Sequence, residues 1–317
     1  MVSYFTLDAT GEPANFQKEI SNMMHGFGDN PNPNAATVVL MENIVLQQLR
    51  SMIQEAAEVA TLRGQKIISN YEIIYLMRKN KIKLKRLHDY QAKLDHIDKR
   101  QVGLGGPTDP LVVQGLMLDD EKEPILKKTK RNHISIIREL DTADEVSLIT
   151  FDSIDYLRKV RAAKITETMS FDKYEAYHKA RCSSFRTGHS NIAKSYSKLE
   201  LWINPSKEYK FTQSALEVLS FIAYETVAEI IDAVFLTRQD AKKRNGDPFS
   251  KFEGGHFCNP ASLTNAVYIK SGYEGVPAIT VADVREVLRR YFTPRTGMNG
   301  LFFRNMSMEL PSRYIAF

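Results

Sequence analysis

A chain of 317 residues with 43% hydrophobic and 26% charged residues and a mean hydropathy of −0.33 has enough apolar material for two or three domains with cores of their own. Its net charge of +5 and isoelectric point near 8.9 are only mildly basic, weaker than a dedicated nucleic-acid binder usually shows. Two cysteines, Cys182 and Cys258, and the polar start MVSYFTLDATGEP give neither a disulfide framework nor an apolar signal region, so a reducing compartment is expected.

In chain order, residues 1–14 read as a polar leader. Phe16, Ile20, Met23, Met24 and Phe27 then predict a helix of about a dozen residues, stopped by Gly28 and by Pro31 and Pro33. Val38, Met41, Val45, Leu49, Met52, Ile53, Ala56, Val59 and Ala60 trace one face of a much longer helix from about Ala36 to Arg63, closed by Gly64. Gln65–Ile68 is a brief β-branched stretch. Ser69-x-x-Glu72 is a capping box that feeds a short helix, and RKNKIKLKRLHDYQAKLDHIDKR continues it as a basic helical extension to about residue 90. Residues 91–170 lose periodicity among charge runs and turn signals and read as a linker with local helices.

Helical signals return at Phe171–Phe185 and at about Asn191–Trp202, followed by the dominant stretch, Phe211–Pro248. There Leu216, Leu219, Ile222, Ala223, Val227, Ile230, Ile231 and Val234 recur at three- and four-residue steps over more than twice the usual helix length of about 11–12 residues. A second apolar set, Val218, Phe221, Ala228 and Phe235, makes too much of the circumference greasy for a surface helix. Thr212 or Ser214 can cap it, the latter with Glu217 in a capping box, and Asn245-Gly246-Asp247-Pro248 can stop it. Glu217, Glu225, Glu229 and Asp232 exclude a membrane span. After a long loop, 246–279, Ala278-Ile279-Thr280-x-x-Asp283 repeats the β-branched pair and capping box seen at Ile67-Ile68-Ser69-x-x-Glu72. The second unit spans 171–292, and 293–317 is a C-terminal tail outside it.

A short–long–short unit with so long a middle helix cannot cover its own apolar face, and the nearest partner is the other half. The expected fold class is therefore all-α: two histone folds, 15–90 and 171–292, paired within one chain through a core of Val45, Leu49, Met52, Ile53, Ala56, Leu219, Ile222, Val227, Ile230 and Val234, with Ser69, Glu72, Thr280 and Asp283 as helix caps. The stretches MMHGFGDNPNPNAATVVLMENIVLQQLRSMIQEAAEVATLRGQKIISNYEIIYLMRKNKIKLKRL and ALEVLSFIAYETVAEIIDAVFLTRQD, with ITVADVREVLRRY, resemble the SPT-three family of the SAGA coactivator, whose halves are similar to the TATA-binding-protein-associated factors thirteen and eleven of TFIID. That resemblance implies a nuclear, non-catalytic transcription coactivator subunit that binds the TATA-binding protein and other histone-fold subunits of SAGA.

Catalytic signals are weak. Gly103-x-Gly105-Gly106 lacks the third glycine of a dinucleotide loop, His256-x-Cys258 has no further ligands at metal-site spacing, and Cys182 reads as a small buried helix residue. No cofactor, metal, small-molecule substrate or membrane is expected. DNA contact is at most indirect or weak, because the loop GDNPNPNAA has no Lys or Arg and the next loop contributes chiefly Lys66. The alternative, a sequence-independent DNA-binding histone-fold protein, would use the basic run Arg78–Arg86, whose simpler reading is a solvated helix face. Glu225, Glu229 and Asp232, at i, i+4 and i+7, form an acidic stripe. It reads either as the exposed strip of a buried helix or as a docking surface for a basic partner, for which the resemblance implies the TATA-binding protein.

Overall fold

The computed structural model describes residues 14–104, 133–167, 169–187, 195–240, 277–292 and 314–317, and those residues are helical with a single isolated β-bridge. Helix α1 (Gln17–Phe27) begins where the Phe16 amide donates to the Glu42 carboxylate at 2.7 Å, and it stops at Gly28, whose φ of 116° lets the amides of Gly28 and Asp29 close back on His25 and Met24. Helix α2 (Ala35–Leu62) is capped by Asn34, which accepts from Ala36 at 2.9 Å, and α3 (Asn70–Met77) follows the capping box at Ser69. The basic extension is α4 (Lys81–Leu104).

Three helices lie in the predicted linker: α5 (His133–Leu140), α6 (Glu145–Leu148) and α7 (Ser153–Glu167). Then come α8 (Phe171–Arg181), α9 (Ser197–Ile203), α10 (Gln213–Asp240) and α11 (Val281–Val287), the last running into a π turn at Leu288–Phe292. The dominant stretch is therefore one helix of 28 residues, matched by the 28 residues of α2. At 1.5 Å per residue each is about 42 Å long, far beyond what flanking short helices of the same half can cover. Thr212, rather than Ser214, caps α10, accepting from the Ala215 amide at 3.2 Å. The predicted stop at Asn245–Pro248 lies outside the described residues, as does most of the loop 246–279.

Helices α2 and α10 pack against each other, with α1, α3, α9 and α11 around them, and one continuous hydrophobic core runs through both halves. Every residue predicted for the pairing core is in it: Val45, Leu49, Met52, Ile53 and Ala56 from α2, and Leu219, Ile222, Val227, Ile230 and Val234 from α10, each fully or almost fully buried. Two expectations need correction. The tail is not wholly outside the fold, since Tyr314, Ile315 and Ala316 join this core and the Ile315 amide donates to Gln48 of α2 at 3.0 Å. Cys182 is half-buried at the C-cap of α8, not a core residue of a helix.

Candidate functional site

The two ends of the paired long helices are tied crosswise. At one end the loop after α2 meets the loop before α10: Ile68 and Phe211 form the parallel bridge, with the Ile68 amide donating to Lys210 at 2.8 Å and the Thr212 amide donating to Ile68 at 3.0 Å. At the other end the loop after α1 meets the segment before α11. One Asp29 carboxylate oxygen accepts from the amides of Ile279 at 2.9 Å and Asn30 at 2.8 Å, and Thr37 Oγ1 donates to the Ile279 carbonyl at 2.8 Å. The predicted second β-branched pair thus makes no bridge; the Ile279 backbone is satisfied by side chains of the first half, and the Ala278 carbonyl accepts from Arg238 of α10 at 3.2 Å. Burial pushes the Asp29 carboxyl up to about 6, although the two amide donors pull the other way.

The halves also repeat a device that no sequence pattern announced. Both predicted capping boxes form, Ser69 with Glu72 and Thr280 with Asp283. In each, the acidic member also takes an arginine from the end of the preceding long helix: Arg63 pairs with Glu72, and Arg238 donates to Asp283 at 2.7 Å. The third helix of each unit is therefore locked to the C-terminal end of its own long helix.

The acidic stripe of α10 is the densest electrostatic feature. Glu225 is only 4% exposed, while the Glu229 and Asp232 side chains are partly buried, 20% and 13% exposed. Lys83 Nζ donates to Glu225 at 2.9 Å and also pairs with Glu229; Arg86 reaches Glu225 at 3.0 Å and pairs with Asp152. From α7, Arg158 donates to Glu225 at 3.0 Å, Glu229 at 3.1 Å and Asp232 at 2.6 Å, and Arg161 pairs with Asp232 at 2.7 Å. Four cations face four carboxylates, Asp152 included, so the cluster is neutral. Burial by itself would raise the Glu225 carboxyl, but Arg158, Lys83 and Arg86 together hold it well below the ordinary glutamate range.

Two expectations change here. The stripe is no exposed strip: it meets basic groups, and the chain itself supplies them. Nor is the run Arg78–Arg86 a solvated face throughout, because Lys83 is 6% exposed and the Arg86 side chain 9%, both turned toward α10. Arg158 and Arg161 were the functional residues missing from the sequence reading; their i, i+3 spacing in a segment of weak periodicity was the available signal. Among the described residues no group of His, Cys, Asp and Glu could hold a metal ion, and no helix is long and apolar enough to cross a membrane. His256 and Cys258 lie outside the described residues, as do Gly105 and Gly106.

The model of the transcription initiation factor IID 18 kD subunit family matches residues 14–103, which is the α1–α4 unit. The SAGA complex subunit Spt3 of Drosophila melanogaster is 26% identical over 310 residues, covering 95% of this chain and 71% of that protein. The chain is similar to the Spt3 family over nearly its whole length. Within that family the SAGA complex subunit SPT3 of Saccharomyces cerevisiae is 23% identical over 275 residues, covering 75% of this chain and 80% of its own length. Transcription initiation factor TFIID subunit 13 of Arabidopsis thaliana is 35% identical over 82 residues, 26% of this chain and 64% of that protein. The Spt3 likeness thus reaches through the linker and the second half, whereas the TFIID likeness is confined to one unit.

Proposed function

We propose that this chain is a non-catalytic transcription coactivator subunit, a scaffold of two histone folds paired within one polypeptide, that works in the nucleus inside a SAGA complex with other histone-fold subunits and the TATA-binding protein. The observation that carries this reading is the crosswise pairing of α2 and α10, in which the loops of each half are completed by the other. A single chain then supplies what separate subunits would otherwise assemble, at effective concentrations that reach about the mM range when a linker spans its sites. The relatives' names, SAGA complex subunit Spt3 and TFIID subunit 13, supply the setting.

The experiment is affinity purification of the tagged full chain from nuclear extract. Co-purification with SAGA subunits supports the scaffold, and a chain recovered without them refutes it.

The acidic stripe enters the TATA-binding-protein reading in an altered form. Since Arg158 and Arg161 already occupy it, a basic surface of that protein reaches Glu225, Glu229 and Asp232 only by displacing α7. Replacing Arg158 and Arg161 by Ala then raises affinity for purified TATA-binding protein; an unchanged affinity places the contact elsewhere. The DNA-binding alternative loses ground for a specific reason. Lys83 and Arg86, which it needs on the surface, are neutralised against α10.

A further inference from the structure

We infer that residues 148–157, between α6 and the first turn of α7, are a docking face for a basic amphipathic helix of another protein. Among the described residues twelve large hydrophobic side chains are exposed, and five of them fall within these ten positions: Leu148 at 75%, Phe151 at 64%, Tyr156 at 54%, Leu157 at 48% and Ile154 at 37%. Phe151 and Tyr156 lie together, ring centroids 5.6 Å apart. So dense an exposed apolar and aromatic cluster is unusual for a surface with no partner.

The segment is not a loose connection, because both flanks are fastened. Asp141 accepts from Lys81 at 2.7 Å and from the Val146 amide at 2.7 Å, and Val146 is in the core. Asp152 pairs with Arg86 and accepts from the Ile154 amide at 3.0 Å, starting α7. One turn on, Arg158 and Arg161 are drawn inward to the stripe. The apolar cluster is therefore presented on a rigid support, which lowers the ordering cost of binding.

Its charge says what covers it. From 139 to 157 the sequence carries six acidic residues, Glu139, Asp141, Asp144, Glu145, Asp152 and Asp155, and no Lys or Arg. Asp141 and Asp152 are consumed internally, whereas Glu145 and Asp155, with side chains 57% and 46% exposed beside the cluster, make only surface pairs, Glu145 with Lys81 at 3.6 Å and Asp155 with the exposed Lys159 at 2.8 Å, which a basic partner can replace. An apolar face with an acidic rim suits a helix with apolar anchors at i, i+3, i+4 and i+7 and Lys or Arg on its flanks. A second copy of this chain would set acidic rim against acidic rim. The chain's own basic segment Lys127–Arg131 is immediately preceded by only two apolar anchors, Ile125 and Leu126, behind the acidic run Asp119–Glu123, and so lacks the alternation of apolar and basic positions that this face suits.

The test uses the full chain and a fluorescein-labelled synthetic helix with leucines at those spacings and lysines elsewhere, beside the same helix with glutamates for lysines. The basic helix should bind and the acidic one should not. F151S with L157S should weaken binding at least about ten-fold, the loss expected of aromatic and aliphatic anchors. E145K with D155K should weaken it several-fold and flatten its salt dependence. Glu145, Phe151 and Leu157 are exposed and the Asp155 side chain is 46% exposed, so helical content and melting temperature should be unchanged, which separates lost docking from lost folding. Equal binding of both helices, or variants that bind like the parent, overturns the proposal. So does concentration-dependent dimerisation abolished by F151S, which would name a second copy, or binding seen only after deletion of residues 121–131, which would name the chain's own segment.

Discussion

Replacing Glu225 with Ala should unfold this protein well before it affects any partner. The side chain is 4% exposed and accepts from three cations, Lys83, Arg86 and Arg158, at 2.9–3.0 Å. Removing it leaves four positive groups facing three carboxylates in an enclosed site. Breaking one member of a buried ion pair costs about 3–5 kcal/mol, because the remaining charge stays desolvated. At about 2–4 °C per kcal/mol for a domain of this size, the melting temperature should fall by about 6–20 °C, read by circular dichroism at 222 nm, with a matching drop in the urea midpoint. The effect should fade in acid. The Glu225 carboxyl is held below its unfolded value of 4.5, so its contribution is present above that pH and is lost as pH falls below it. A cycle with R158A should show strong coupling, since either change alone breaks the same network. A shift under about 0.5 kcal/mol at neutral pH would mean that the cluster is solvated, as exposed pairs are, and the placement of α7 on α10 would be wrong.

Three further outcomes follow from the loops and the core. D29N should raise stability at neutral pH by up to about 3 kcal/mol, because the parent carboxyl goes from 3.8 unfolded to about 6 folded and its stabilising protonated form is lost as pH rises through that window; urea titrations between pH 3.5 and 7 should show a slope in the parent that the Asn variant lacks. G28A should cost about 1–3 kcal/mol, since φ is 116° and an added Cβ would stand 2.9 Å from Arg161 Cδ; an unchanged melting temperature would contradict that backbone. L219A, at a position with no exposure midway along the pairing face, should cost about 2–5 kcal/mol in the same melts.

Much of the architecture was legible because it rests on local signals. The apolar rows of α2 and α10, the glycine stop at Gly28 and the two capping boxes are each written within a few residues. The repeat then required the halves to meet, and the residues assigned to their contact are buried together. What stayed hidden joins residues far apart. Arg158 sits 67 positions from Glu225, and nothing near either says that they touch. The stripe looked solvent-facing because charges on a helix usually are; four cations from two other helices reversed that rule. Ile279 shows the same limit, since its β-branched neighbourhood suggested pairing with another strand and its amide found the Asp29 carboxylate instead. Tyr314–Ala316 carried no periodicity at all, and their burial follows from where the chain returns.

The hydrogen bond between Asp29 and Ile279 closes a span of 250 residues, and this sets a timetable for synthesis. The first unit is complete at Met77, but the long helix that covers it ends at Asp240, 163 residues later. At about 5–20 residues per second the apolar face of α2 leaves the ribosome about 10–30 s before its cover does. During that interval the nascent chain is half of a pair, open to chaperones and to any free histone-fold partner, and the linker sets how long the wait lasts.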